Sequence, residues 1–151
     1  MTPLTIADLS ILYVEDDKSI RDVYTEQLQT CVKNVYGAAN GEEGYLQFKD
    51  KHPDVIITDI MMPVLDGIDM AKKIRQDDEF TPIVITSSSS DTKHLHKTLD
   101  IGIHGYMSKP INFNDLIDLL KSICKILQLD DEKKIHEKIL KDRFNMQRLL
   151  V

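Results

Sequence analysis

The sequence has few of the features that mark secreted or membrane-bound proteins. Its two cysteines, Cys31 and Cys124, lie far apart in helix-like sequence and form no CxxC pair. This placement predicts reduced thiols rather than a disulfide or a metal site. No apolar run approaches the roughly 18 residues of a membrane span. The first residues also lack the basic start and apolar core of a signal peptide, so we expect a soluble, cytoplasmic protein that does not bind membranes.

An excess of basic residues is absent as well. The 151 residues include 19 Lys and Arg against 25 Asp and Glu, which gives a net charge of -6. Direct binding to nucleic acid needs a basic face that neutralises phosphates, so the composition argues against it. The hydrophobic content of 42% is enough to form a core, and the length suits one domain with a helix to spare.

Short apolar runs alternate with segments of helical period along the chain. The runs of strand length are Ser10–Val14, Asn34–Ala38, Val55–Thr58, Pro82–Thr86 and a short run ending near Met107. Helical segments lie between them, one of them through Leu95 and Leu99, and a strongly apolar one follows from Phe113 to Leu129. This alternation predicts an α/β fold, a doubly wound (βα)5 parallel sheet with right-handed crossovers. A flavodoxin-like strand order, 2-1-3-4-5, places the carboxyl ends of strands 1 and 3 side by side.

Chemically active side chains follow four of these runs. They are Glu15 and Asp16 after the first run, Asp59 after the third, a hydroxyl at Thr86 or Ser87 after the fourth, and Lys109 after the fifth. Ligands of open parallel sheets bind at the carboxyl ends of the strands. A carboxylate attacks phosphorus only where cations neutralise the charge, and Mg²⁺ prefers oxygen ligands. We infer a phosphorylation site at which Asp59 forms an aspartyl phosphate. Without metal, at least one of these crowded acids is expected to have a raised pKa.

Three motifs, in this order, resemble those of the response regulator receiver domain of two-component signalling. They are Ile11-Leu12-Tyr13-Val14-Glu15-Asp16-Asp17, Val55-Ile56-Ile57-Thr58-Asp59-Ile60-Met61-Met62-Pro63 followed by Asp66-Gly67, and Gly105-Tyr106-Met107-Ser108-Lys109-Pro110. The resemblance covers about residues 9–128. It implies a phosphoprotein of a phosphorelay that takes its phosphoryl group from a histidine kinase or phosphotransfer protein. Its only chemistry would be self-catalysed phosphotransfer and dephosphorylation, so the chain would not be an enzyme.

The resemblance implies a role for each acid of the cluster. Asp59 would accept the phosphoryl group, and Asp16 would bind Mg²⁺ directly. Glu15 would bind the metal through water, and the backbone carbonyl of Met61 would complete the protein ligands. Asp17 falls just past the acid pair and is expected to cap the first helix.

The resemblance also implies a switch. Lys109 would hold a phosphoryl oxygen, and the peptide before Pro110 is often cis in this family. Counted from the proline that opens strand 4, the switch hydroxyl is Ser87, with Thr86 as the alternative. Tyr106 would be the rotating aromatic that reports phosphorylation to the surface formed by helix 4, strand 5 and helix 5.

Two other functions are compatible with parts of this pattern. Phosphohydrolases of the haloacid-dehalogenase type also use a strand-end aspartate with Mg²⁺, but they need a second aspartate two residues later. Met61 occupies that position and disfavours this function. A receiver-like binding module that no longer accepts phosphate is disfavoured by the intact set of site residues.

Residues 130–151 fall outside the alternating pattern. Asp130, Asp131 and Glu132 are able to start a further helix, in which Ile135 and Ile139 are followed by Met146 and Leu149 at near-heptad spacing. We therefore predict a receiver domain over 1–129 and a helical extension over 130–151. The extension is either a linker or the first part of a truncated output region. As a linker it would transmit the signal or support a phosphorylation-dependent homodimer. Otherwise the protein would act alone, by docking on a downstream protein partner.

Overall fold

Five parallel strands form a single sheet in the order β2-β1-β3-β4-β5. The computed structural model describes residues 2–88, 97–98 and 101–149. The strands are β1 (Ser10–Val14), β2 (Asn34–Ala38), β3 (Val55–Asp59), β4 (Ile83–Ser87) and β5 (Gly105–Ser108). After a 3-10 turn at Ile6–Asp8, the helices are α1 (Lys18–Gln29), α2 (Gly41–Lys51), α3 (Gly67–Asp77) and α4 (Phe113–Leu149). The predicted strand order is confirmed. The predicted helix through Leu95 and Leu99 lies outside the described residues.

The sheet has a hydrophobic core on each face, because successive side chains of a strand point to opposite sides. In β1, Ile11 and Tyr13 belong to a cluster that includes Leu28 of α1 and Leu116 and Leu120 of α4. The second cluster combines Leu12 and Val14 of β1 with Phe48 of α2 and with Met70 and Ile74 of α3. All five residues of β3 are buried, which explains why apolar residues follow one another over Val55–Ile57 instead of alternating with polar ones.

Polar side chains cap the helices that follow β1, β2 and β3. The Asp17 carboxylate accepts a hydrogen bond from the Ile20 N–H at 3.1 Å, as predicted for the start of α1. Asn40 caps α2 through the Glu43 N–H at 2.9 Å, and Asp66 caps α3. Each helix therefore begins within a short loop of a strand end, so these loops are held close to the carboxyl edge of the sheet.

The helix α4 continues without interruption for 37 residues. The sequence predicts a new helix start at Asp130, but these acidic residues lie inside the continuous helix, where their side chains are exposed. The extension therefore continues the same helix that packs against the sheet. It touches the rest of the molecule where the Lys134 ammonium lies 5.7 Å from the centre of the Phe80 ring. Among the described residues, none of the helices is long and apolar enough to span a membrane.

The loop between β3 and α3 contains a strained turn. The Leu65 N–H donates to the Pro63 carbonyl at 2.8 Å, and Val64 between them has a φ of 71°. This is the hydrogen bond of a γ-turn, and a β-branched residue rarely adopts positive φ. The Leu65 carbonyl accepts from the Gly41 N–H at 2.9 Å, which ties the turn to the start of α2.

Candidate functional site

Three acidic side chains meet at the carboxyl end of the sheet. The strands β1 and β3 pair in parallel, with Val14 opposite Thr58, so the residues that follow them are neighbours. Carboxylate oxygens of Glu15, Asp16 and Asp59 all lie within 4.8 Å of one another. Glu15 and Asp59 are buried, whereas Asp16 is exposed. The cluster thus has one side open to solvent, through which a cation is able to enter.

Lys109 bridges the two buried acids from the end of β5. Its Nζ lies 2.7 Å from Glu15 Oε2 and 2.8 Å from Asp59 Oδ2. The Lys109 N–H donates to the Ser87 carbonyl at 2.8 Å, which fixes the lysine backbone against the end of β4. The Lys109–Pro110 peptide is cis, as the resemblance implies. Lys109 therefore connects three other predicted site residues, Glu15, Asp59 and Ser87, into one group.

Burial controls the ionisation of this group. It raises the pKa of the Asp59 carboxyl, and the hydrogen bond from Lys109 offsets this only in part. Burial likewise raises the pKa of Glu15, and the charge of Asp59 adds to the effect. For Lys109 burial opposes the charged form, but two carboxylate partners outweigh it and raise the pKa. Two buried acids share one lysine, so the site keeps an excess of negative charge that favours a further cation.

Ser87 and Tyr106, the two predicted switch residues, are in direct contact. The Ser87 hydroxyl is fully buried and is hydrogen-bonded to the Tyr106 hydroxyl. Thr86 is also buried and lies opposite Asp59 in the register of β3 and β4. Adjacent residues of a strand point to opposite faces, so only one of these two hydroxyls faces Tyr106. The hydrogen bond identifies that residue as Ser87.

Hydrogen bonds from the backbone and from α1 orient the two buried acids. The Ile60 N–H donates to Asp59 Oδ1 at 2.8 Å, and the Asp17 N–H donates to Glu15 Oε1 at 3.2 Å. The Arg21 guanidinium donates to the Glu15 carbonyl at 2.6 Å. This contact between Arg21 and the backbone of Glu15 is visible only in the structure.

Gly67 is another positioning residue that the sequence does not explain. A Cβ atom at this position would lie 1.9 Å from the Asp59 carbonyl oxygen. The Gly67 N–H also donates to the Ile60 carbonyl at 2.8 Å. The Asp66-Gly67 dipeptide is visible in the sequence, but a close approach between two backbone segments leaves no local pattern.

The donor set fits a magnesium ion. Mg²⁺ is usually held by one or two carboxylates together with water, and it takes only oxygen ligands. Glu15, Asp16 and Asp59 supply carboxylate oxygens within the reach of one ion. Met61, the other predicted ligand, lies two residues after Asp59 in the loop after β3, and this residue is 53% exposed.

Comparisons with known proteins agree with this geometry. The family model described as the response regulator receiver domain matches residues 11–121. The transcriptional regulatory protein AfsQ1 of Streptomyces coelicolor is 32% identical over 116 residues, which are 77% of this chain and 51% of that protein. The alkaline phosphatase synthesis transcriptional regulatory protein PhoP of Bacillus subtilis is 30% identical over 115 residues, or 76% of this chain and 48% of PhoP. The chain therefore spans about half the length of the curated relatives it matches.

A solved structure extends the likeness to three dimensions. The chemotaxis protein CheY4 of Vibrio cholerae has a TM-score of 0.72 and 30% identity, covering 78% of this chain and 99% of that chain. The match to nearly all of that chain indicates that the two proteins share this fold.

Proposed function

This chain belongs to the response regulator receiver domain family, and from that premise we propose that it is a phosphorylation-controlled switch whose phosphoryl group is carried by Asp59. The observation that supports this role most directly is the position of Lys109 Nζ, 2.8 Å from Asp59 Oδ2. A cation at this distance neutralises a negative group bound to the carboxylate. Because this contact joins the ends of β3 and β5, Lys109 neutralises charge at Asp59 and not at a carboxylate elsewhere on the surface.

We assign the metal ligands to Asp16, Asp59 and the Met61 carbonyl, with Glu15 binding through water. When bound, Mg²⁺ would lower the negative charge that the Asp59 carboxylate meets as it approaches a phosphoryl group. Burial raises the pKa of Asp59 and of Glu15, and Lys109 offsets this only in part, so a bound cation would favour the charged forms of both acids. Asp16 is exposed and thus the first acid that an entering ion meets.

The phosphodonor is a phosphohistidine of a histidine kinase or phosphotransfer protein. The Asp59 carboxylate attacks phosphorus and forms an O–P bond, and the P–N bond breaks. The donor imidazole leaves with the bonding electrons, and it is protonated by solvent if it leaves as the anion. Lys109 stabilises the charge that the phosphoryl oxygens carry during the transfer. Hydrolysis of the aspartyl phosphate by water later resets Asp59.

The switch uses Ser87 and Tyr106. A phosphoryl group on Asp59 offers a charged acceptor to the Ser87 hydroxyl, which is now paired with the Tyr106 hydroxyl. Hydrogen bonds to charged groups are stronger than neutral ones, so phosphorylation would break the existing pair. Tyr106 then changes its position at the surface formed by β5 and α4, where α4 is the helix that the sequence predicts as helix 5. The third element of this surface is the predicted helix through Leu95 and Leu99, and these two residues lie outside the described residues.

The phosphohydrolase alternative has no support from the site. Met61 provides no carboxylate two residues after Asp59, so a general acid for a leaving group is missing at that position. We therefore propose that the only chemistry is phosphorylation of Asp59 and hydrolysis of that aspartyl phosphate, without turnover of other phosphorylated substrates. The names of two relatives, AfsQ1 and PhoP, describe transcriptional regulation. DNA binding by a longer form of this protein would belong to residues outside this chain.

The test is modification by acetyl phosphate, followed by intact mass. We expect an added phosphoryl group that requires Mg²⁺ and is absent from the Asp59→Asn variant. The Asp118→Asn variant is the matched control, because it makes the same change at an exposed position of α4. Metal-independent modification, or full modification of Asp59→Asn, contradicts the proposal.

A further inference from the structure

A hydrogen bond between α1 and the loop after Lys109 takes no direct part in metal binding, phosphoryl transfer or the switch at Ser87 and Tyr106. The Tyr24 hydroxyl donates to the Ile111 carbonyl at 2.9 Å, across 87 positions of the sequence. Ile111 is 7% exposed, so its carbonyl needs a partner inside the protein. The Tyr24 hydroxyl supplies that partner.

The loop carrying this carbonyl is anchored at both ends and is short. At one end, the Lys109 N–H donates to the Ser87 carbonyl at 2.8 Å. At the other end, Asn112 caps α4 by accepting from the Asp115 N–H at 3.1 Å. Pro110 has no N–H and contributes no donor between these points. The Tyr24 contact is therefore an additional restraint, placed two residues after the lysine.

Tyr24 is itself held rigidly. Its ring stacks on Tyr13 of β1, with centroids 6.0 Å apart and ring planes at 21°. Tyr13 is 1% exposed and lies in the core between the sheet, α1 and α4. Tyr24 and Lys109 line the same groove, which has a volume of about 340 Å³. A fixed ring whose hydroxyl meets the lysine loop is suited to setting the position of that loop.

We propose that Tyr24 is a positioning residue for Lys109, acting through the Ile111 carbonyl; this inference rests on the proposed function. Lys109 must reach the buried Asp59 and then a phosphoryl oxygen, and its reach depends on where the loop leaves β5. The hydroxyl of Tyr24 ties that loop to α1, which also carries Arg21 against Glu15. The helix α1 thereby holds both the metal side and the lysine side of the site.

The test compares phosphorylation rates by acetyl phosphate, measured by intact mass on the full chain. Tyr24→Phe keeps the stacked ring and removes the hydroxyl, and we expect a rate about two- to tenfold lower, the value of one neutral hydrogen bond. Tyr45→Phe is the matched control, since it removes a hydroxyl that binds Asp77 between α2 and α3. Tyr45→Phe should keep the wild-type rate, and replacing Tyr24 by 4-aminophenylalanine, which retains a donor, should restore it.

A double-mutant cycle separates positioning of Lys109 from general structural damage. In a Lys109→Gln background, Tyr24→Phe should have no further effect on the rate, because the lysine that it positions is gone. An equal loss in both backgrounds, or a wild-type rate for Tyr24→Phe alone, overturns the inference. Failure of the wild-type chain to accept phosphate at Asp59 would instead overturn the proposed function.

Discussion

At the scale of single residues, the site combines groups that burial makes unfavourable. Asp59 is 6% exposed and Glu15 is 2% exposed, and burial raises the pKa of both. Charged acids in such positions destabilise a fold, so they are typical of sites where a function requires them. Lys109 relieves one charge but is shared by both carboxylates. The remaining charge is what makes the site receptive to a metal ion.

Gly67→Ala tests how closely the backbone must approach Asp59. The new Cβ would lie 1.9 Å from the Asp59 carbonyl oxygen, so β3 and α3 must separate. We expect a loss of about 1–3 kcal/mol in the free energy of unfolding, typical of overpacking, together with slower phosphorylation of Asp59. Urea unfolding and intact mass after acetyl phosphate treatment measure the two effects.

Gly37→Ala is the control for that substitution. A Cβ at Gly37 would meet the Arg21 side chain at 3.5 Å, an ordinary contact. Alanine in place of glycine inside a strand is expected to be neutral or to stabilise by up to about 1 kcal/mol. Equal stability losses in the two variants would show that the close approach at Gly67 has no special importance.

At the scale of elements, the site depends on loops that the strands and caps hold in place. The strand ends and their acids are predictable from sequence, because apolar runs end sharply at Glu15, Asp59 and Lys109. The backbone contact at Gly67 and the hydrogen bond from Tyr24 to Ile111 are not predictable, since they join atoms that are distant in sequence and leave no residue pattern.

The helix break predicted at Asp130 is wrong, because α4 is continuous through this residue. Acidic residues favour a helix start, but they are also tolerated inside a helix when their side chains reach water.

The continuous helix α4 leads to a prediction about residues 130–149. Residues from Leu129 to Met146 are exposed, and the contact of Lys134 with the exposed Phe80 is expected to contribute only about 0.5–1 kcal/mol. A chain of residues 1–129 should therefore unfold cooperatively, with a free energy within about 1 kcal/mol of the full chain. It should also accept phosphate at Asp59 at the same rate. Circular dichroism with urea and intact mass measure these quantities.

The same pair of proteins tests the role of the extension. Exposed apolar side chains along it include Ile135, Ile139, Leu140, Phe144 and Met146. If the extension forms the proposed homodimer, light scattering of the phosphorylated full chain should give twice the monomer mass, and residues 1–129 should remain monomeric. Monomers for both would exclude dimerisation, and a large loss of stability in residues 1–129 would contradict the domain boundary.

At the scale of the whole molecule, the two cores place the site at one edge of a rigid sheet. The fold brings Glu15, Asp59 and Lys109 together from the carboxyl ends of three different strands, β1, β3 and β5. No local segment contains the site, so binding there is linked to folding of the entire domain. Anything that binds the native site and not the unfolded chain raises the free energy of unfolding of the whole molecule.

Mg²⁺ and protons should therefore compete for Asp59 and Glu15, and the free energy of unfolding should report this competition. The raised pKa values of Asp59 and Glu15 mean that the native protein binds protons more tightly than the unfolded chain. Without metal, the contribution of these acids to stability is fully present below their ordinary pKa, and it is lost as the pH rises through their raised pKa. Above that window both acids are charged and available to Mg²⁺. At a free concentration ten times Kd, Mg²⁺ should stabilise the protein by about 1.4 kcal/mol.

Thermal unfolding with and without Mg²⁺ at pH 7.5 and pH 5 checks this linkage. We expect Tm to rise by about 3–6 °C at pH 7.5, and by less at pH 5, because acids with a raised pKa take up protons at a higher pH than exposed carboxylates do, and bound protons oppose metal binding. Asp59→Asn should lose most of the shift at pH 7.5, whereas Asp118→Asn should keep it. An equal shift at both pH values, or a full shift in Asp59→Asn, would mean that Mg²⁺ stabilises the protein at a place other than this cluster. The pH dependence thus separates binding by the buried acids from weak binding to the acidic surface, because exposed carboxylates at ordinary pKa are already charged at pH 5.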